Sequence, residues 1–397
     1  MVSFLLERMF QEMREPMRVR HVPASGGVCV ELLDDADHPL VVVSHFLHHL
    51  SARGYSPNTI SAYAYDLLHF TRFLSQQPLT FEEFTPAHSL AFLDYLSHVP
   101  SRGQAQRVGL VLCTTTENGG STTRLSPPTI NRIFAAVSSF YEYLIVSGQL
   151  TSRENPILKV DDPGSARVSE RHRPFLGYAS RQRPIRRAVR VRTVQRVPRP
   201  MSEEQVRQLL ESLHLWRDKA MILLMVQGGL RPGEVLNLHL EDIEYGRRRL
   251  VIRHRTDHPK GVRTKSRTER IVDLHEPEAL QALSAYIMQE RPSETDSTFV
   301  FLVGGGGRRR CEPLGYHALV KLFERHYQRL HMREPWMTPH ALRHTHATKM
   351  WEGGMRELTL QKRLGHASPE STRIYTRVTD AVVVAEYRHA LGEERGE

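Results

Sequence analysis

TPHALRHTHAT, residues 338–348, decides the fold. A helix is expected over about 338–351, and it places His340 and Arg343 three apart on one face. Downstream, RLGHAS (363–368) carries His366, and Gly365 there ends one helix before Ser368-Pro369-Glu370 caps the next. That next helix carries Tyr375 in STRIYTRV (371–378), nine residues after His366. Upstream, GGLRPGEVLNL (228–238) sets Arg231 at a helix start behind a double glycine, where backbone N–H groups also point outward toward an anion. Glu234, three residues on, either orients Arg231 or finishes the N-terminal turn.

These side chains suit one chemistry. Cleaving a phosphodiester through a covalent intermediate needs a nucleophile, donors that neutralise charge on the phosphorane, and an acid for the leaving oxygen. The motifs are poor in carboxylates and rich in Arg, His and Lys, and paired guanidiniums fork onto phosphate oxygens as an ammonium cannot. His340, His344 and His346 also admit a zinc reading, but HxxxHxH lacks the HExxH glutamate. Each residue alone is ordinary; thirteen tyrosines occur, and most tyrosines pack or face solvent. Their order and spacing carry the specificity.

Length and charge fit that chemistry. With 397 residues the chain is long enough for two domains, and 54 Lys+Arg against 44 Asp+Glu give a net charge of +10. A sequence pI near 9.7 favours a polyanionic partner. The three cysteines, Cys29, Cys113 and Cys311, lack CxxC spacing, which argues against a disulfide framework and fits a reducing cytoplasm. Charged residues interrupt the opening MVSFLLERMFQEMREPM, so neither a signal peptide nor a membrane span is expected.

Residues 1–40 read as a loosely defined N-terminal extension with a possible short helix. Residues 41–155 read as a helical domain: Phe46, Leu47 and Leu50 form one apolar stripe, and Ile60, Tyr63, Leu67, Phe70 and Leu74 a second. Ser56-Pro57 supplies a cap between them, and residues 100–126 read as a long loop. Residues 156–200 read as a flexible basic linker; from Pro163 to Pro200 eleven arginines accompany a single acid, Glu170. Either it is a solvated charge run or a strap along phosphates. Residues 201–378 form the second domain, opened by a Ser202/Gln205 capping box and holding strands in LVIRHR and ERIVDL. Residues 379–397 form a tail with one apolar face. The expected fold class is mainly α with a small antiparallel β-sheet.

The motif set resembles the tyrosine recombinase (phage integrase-like) family, from about Met201 to the last residues. The resemblance implies a helical, SAM-like core-binding domain that clamps DNA, followed by a mixed α+β catalytic domain. It implies a site-specific recombinase or integrase acting through a 3′-phosphotyrosyl intermediate, with no metal, cofactor or ATP. Tyr375 is then the nucleophile, Arg231 and Arg343 brace the phosphate, His340 is the base, Lys265 the acid and His366 a phosphate donor. Lys265 stands five before Arg270 in KSRTERIVDL, while Lys260 in HPKGVRTK is its rival. Arg53, Lys159, Arg186, Arg187, Arg190, Lys260 and Arg263 are candidate DNA contacts. The implied partners are double-stranded DNA and further copies of the chain, two per site and four in synapsis, with the tail docking on a neighbour. A type IB topoisomerase-like enzyme, an inactive DNA-binding regulator and a histidine-based metal nuclease are the competing functions.

Overall fold

The computed structural model describes residues 17–24, 27–101, 113–115, 121–150, 154–161, 185–193, 199–264 and 269–365. The chain divides into two compact units, Met1–Val194 and Gln195–Glu397.

The first unit is built on helices α1 (Val41–Ala52), α2 (Pro57–Gln76), α3 (His88–His98) and α4 (Pro127–Val146). Ser56 caps α2, its Oγ accepting from the Thr59 N–H at 3.1 Å with Pro57 at the first turn. Both apolar stripes are buried, save that Tyr63 is half-buried at the rim. Phe70 meets Phe84 and Phe92 edge-on at centroid distances of 5.0 and 5.4 Å, an arrangement the ring quadrupoles favour.

Three departures from the sequence reading concern this unit. Residues 17–33 are no loose extension: β1 (Arg18–Ala24) pairs antiparallel with β2 (Gly27–Leu33). Alternation along GVCVELL buries Val30 and Leu32 in the helical core, leaves Cys29 exposed, and points Glu31 at Arg20, 2.8 Å away. The short helix expected near the start falls outside the described residues. The 100–126 segment contains a short antiparallel pair, β3 (Cys113–Thr115) with β4 (Ser121–Thr123). Finally, part of the basic stretch is pinned to the helical unit. Strand β5 (Lys159–Asp161) pairs with β6 (Ile185–Arg187), and the Asn131 side-chain amide bonds both the carbonyl and the N–H of Val191 at 2.9 Å. Val189 and Val191 pack on the core while Arg190 and Arg192 between and beyond them are exposed. The Val-Arg alternation is a strand-like pattern hidden among the arginines.

In the second unit, α5 (Glu203–Ser212) begins with the expected capping box of Ser202 and Gln205. Helix α6 (Trp216–Val226) is buried from Ala220 to Met225 and packs against α8 (Pro277–Ala285) and α10 (Pro339–Glu352). The helix expected to start at Arg231 is the short α7 (Pro232–Leu236), after which Asn237 turns its amide back onto the Gly233 carbonyl at 2.8 Å. The sheet is antiparallel in the order β7 (Ile243–Glu244), β8 (Arg249–Ile252), β9 (Arg270–Asp273), with Leu250 opposite Val272. Helices α9 (Tyr316–Arg329), α10 and α11 (Glu357–Leu364) follow, and α11 packs on both β9 and α10. Among the described residues no helix is long and apolar enough to cross a membrane.

Candidate active site

The site is organised by one buried carboxylate. Arg231 is the N-cap of α7 in extended conformation, and its N–H donates to Glu234 Oε2 at 2.8 Å. Glu234 therefore closes the helix start itself, and the outward-facing N–H expected there is already taken. The same carboxylate accepts from Arg231 Nη1 at 2.8 Å and from Arg270 Nη1 and Nη2 at 2.8 and 2.7 Å, while Arg343 Nη1 stands 3.8 Å from it. Its side chain has no solvent exposure. Burial pushes the Glu234 carboxyl up, but the hydrogen bonds and charge of Arg270, then the charges of Arg343 and Arg231, outweigh it and hold the group at about 2. Three guanidiniums against one carboxylate leave two net positive charges in the cluster.

The same three arginines seize the end of α11. Arg270 Nε donates to Arg363 O at 2.9 Å, Arg343 Nη2 to Leu364 O at 2.6 Å, and Arg231 Nη2 to Gly365 O at 3.0 Å. These are consecutive carbonyls of a last helical turn, which no intrahelical N–H can satisfy. Gly365 has φ +63°, and a Cβ there would lie 2.9 Å from Arg270 Nη1, so glycine is required on two counts. Arg343 also donates to Gly229 O at 2.6 Å, which joins the helix start of Arg231 to α10.

On α10, His340 is half-buried in the first turn and Arg343, one turn on, is 3% exposed. His344 is depressed to about 4, by burial first and then by His340 and Arg343. His346 points inward: Nδ1 lies 2.8 Å from Val226 O, and Nε2 is 3.1 Å from Arg363 Nε. Arginine can only donate, so Nε2 is the acceptor and Nδ1 carries the hydrogen given to Val226. Burial, then the Arg363 charge, hold His346 near 4. With both nitrogens engaged, it is not disposed toward a metal shared with His340, and the described residues contain no group of three His, Cys, Asp or Glu placed to hold one.

The structure thus brings Arg231 and Arg343 together. Lys265, His366 and Tyr375 lie outside the described residues. Lys260 is engaged elsewhere, 2.9 Å from Glu312 and packed over Gly315. The backbone of half-buried Arg263 rests on α7, its carbonyl 2.7 Å from where a Cβ of Gly233 would stand. In the first unit Arg53 is exposed and lies 5.5 Å from the Tyr55 ring centroid, Lys159 pairs with Glu142, Arg186 and Arg187 are half-buried on β6, and Arg190 is exposed.

The double glycine gives a direct expectation. Gly229 has φ +64°, and a Cβ there would sit 2.4 Å from His346 Cδ2. Gly229→Ala should lower stability by about 1–3 kcal/mol, read as a lower urea midpoint with unchanged slope. An unchanged midpoint would mean the ring is not held against this backbone.

Residues 199–381 match the model of the phage integrase family, and residues 43–107 match its N-terminal SAM-like domain. Transposase A from transposon Tn554 of Staphylococcus aureus is 28% identical over 362 residues, spanning 91% of this chain and 94% of that protein. Tyrosine recombinase XerC of Chlorobaculum parvum is 30% identical, spanning 84% of this chain and 89% of its own. The chain belongs to the tyrosine recombinases of the phage integrase family. Among solved structures, the Tn1549 transposon integrase with transposon right end DNA superposes on the recombinase with TM-score 0.57 at 18% identity, covering 88% of this chain and 98% of that one. XerH bound to its difH substrate gives 0.53 at 19% identity, covering 85% and 80%. These share the fold of a helical domain followed by a catalytic one.

Sequence reasoning passed over Arg270, a member of the recombinase cluster, and Arg363, whose carbonyl that cluster holds. Arg270 served only as a ruler for Lys265, and Arg363 only as a neighbour of the LGH triplet. For Arg270 the available signal was a charge next to Ile271-Val272, at the start of the strand; its side chain is 7% exposed.

Proposed function

We propose that this recombinase cuts and rejoins duplex DNA at a specific site by attack of Tyr375 on the scissile phosphorus. The O–P bond to the phenol forms, the P–O5′ bond breaks, and a 3′-phosphotyrosyl link and a 5′-hydroxyl result. His340 takes the phenolic proton, Lys265 gives one to the departing O5′, and His366 donates to a non-bridging oxygen. Arg231 and Arg343 brace the phosphorane, whose charge exceeds that of the ground state, so they lower the barrier as well as tightening binding. A guanidinium has about five N–H groups, so one that serves Glu234 and a carbonyl can also serve phosphate.

What supports this reading most is the meeting of Arg231 and Arg343 at Glu234, together with their hold on the Gly365 and Leu364 carbonyls, just before His366. Lys265 is favoured over Lys260 because Arg263 and Arg270 on either side of it are both tied to α7, whereas Lys260 is committed to Glu312. Arg53, Lys159, Arg186, Arg187, Arg190 and Arg263 supply sequence-independent phosphate contacts. By resemblance, two protomers bind each site and four form the synapse, in the cytoplasm where the DNA lies. Relatives named as a transposase and as Xer recombinases favour exchange between duplexes over relaxation of one.

A nicked duplex bearing a site that the protein selects from random sequence tests the chemistry. An SDS-resistant adduct should form at an undiminished rate in EDTA, and two such duplexes should yield recombinant product. A requirement for Mg²⁺ would overturn the reading in favour of a metal nuclease. Relaxation without recombinants would move it to a topoisomerase.

A further inference from the structure

His346 occupies a position its motif does not explain. It faces away from the carboxylate cluster, yet it touches each segment that carries a motif arginine. Its Nδ1 donates to Val226 at the end of α6, its ring lies against the Gly229 backbone two residues before Arg231, and it sits on α10 one turn beyond Arg343. Its Nε2 receives Arg363 Nε, and Arg363 Nη2 reaches Gln227 O at 3.2 Å and Asp273 O at 3.3 Å. Arg363 therefore ties α11 to α6, to α10 and to the end of β9. Its own carbonyl is the first of the three that the cluster arginines hold.

We infer that His346 and Arg363 are a positioning pair for strand cleavage, locking α11 so that its last carbonyls hold the cluster guanidiniums in place. The inference rests on the strand-transfer reading above. The pair works only with a neutral imidazole, because a doubly protonated ring has no lone pair to offer Arg363. Burial keeps the ring in that form. Neither residue touches the phosphate, and their effect is carried by the placement of α11. A displacement of about 1 Å at a reacting group can cost on the order of a hundredfold in rate.

A double-substitution cycle tests this. His346→Phe leaves Arg363 Nε without its acceptor, and Arg363→Leu leaves His346 Nε2 without its donor; changing both removes the polar mismatch between them. At saturating protein on the nicked duplex, each single change should slow adduct formation by roughly 10–100-fold while site affinity stays within about threefold. The double variant should recover at least about tenfold over the slower single. Hydrogen exchange of amides 357–364 in the DNA-free protein should rise in each single variant and fall back in the double. Effects that multiply in the double variant, or affinity that falls in step with cleavage, would overturn the pairing. Should the wild-type protein form no adduct at all, the strand-transfer reading fails, and with it the assignment to cleavage, while the exchange cycle still reports whether the pair exists. If Arg363→Leu folds poorly, Arg363→Lys replaces it: one ammonium can meet Nε2 but not all three acceptors, so a smaller loss of rate supports the pair and no loss overturns it.

Discussion

Tyr375→Phe should abolish covalent adduct formation while leaving affinity for the DNA site within about threefold, since the change removes a single oxygen and keeps the ring. Only a group able to bond phosphorus and leave again can support a reversible exchange, and a phenyl ring cannot. Three of the other tyrosines are poor substitutes. Tyr141, Tyr286 and Tyr327 are buried, and that burial raises the pKa of each phenol. Tyr141 donates to Phe81 O at 2.9 Å, Tyr327 lies 3.4 Å from the Met201 sulfur, and Tyr286 Oη accepts from the Leu302 N–H at 3.1 Å. These hydroxyls serve packing. An adduct that survives in Tyr375→Phe would remove this residue from the nucleophile's role.

Glu234→Ala should destabilise the second unit by about 3–5 kcal/mol, because it leaves buried guanidiniums with no counter-charge. Arg270 has the most to lose: both of its terminal nitrogens bond this carboxylate, and its side chain is only 7% exposed. Urea unfolding would read the loss, and a change below about 1 kcal/mol would show that the carboxylate does not organise the arginines. The pH dependence has a definite sign. A carboxyl held at about 2 in the folded protein ionises below its unfolded value of 4.5, so its contribution is complete above about pH 4.5 and is lost as pH falls toward 2. That loss amounts to about 3 kcal/mol, and Glu234→Gln should lack this part of the acid denaturation curve.

Much of this molecule was legible in its residues because the informative signals were local. Ser202/Gln205, Ser56-Pro57 and the double glycine each act within a few positions, and spacing alone put His340 and Arg343 on one helix. Arg270 and Arg363 were illegible for the opposite reason. Their partners lie in distant segments and include backbone carbonyls, such as Arg363 O for Arg270 and Gln227 O for Arg363, and a carbonyl has no letter in a sequence. The β1–β2 hairpin was missed because its alternating run is short and follows a charged opening. Residues 185–193 were missed because composition masked the Val189 and Val191 anchors. Both errors took charge density as evidence against packing, although alternate residues of a strand face opposite sides.

The three carbonyls at the end of α11 have a further consequence. Their dipoles amount to about half an elementary charge, whereas each guanidinium they occupy carries a whole one. Such ligands fix a rotamer without cancelling the field, so the pocket keeps its pull on an arriving polyanion while its side chains stand ready. Carboxylates at the same three places would impose equal order and extinguish that attraction.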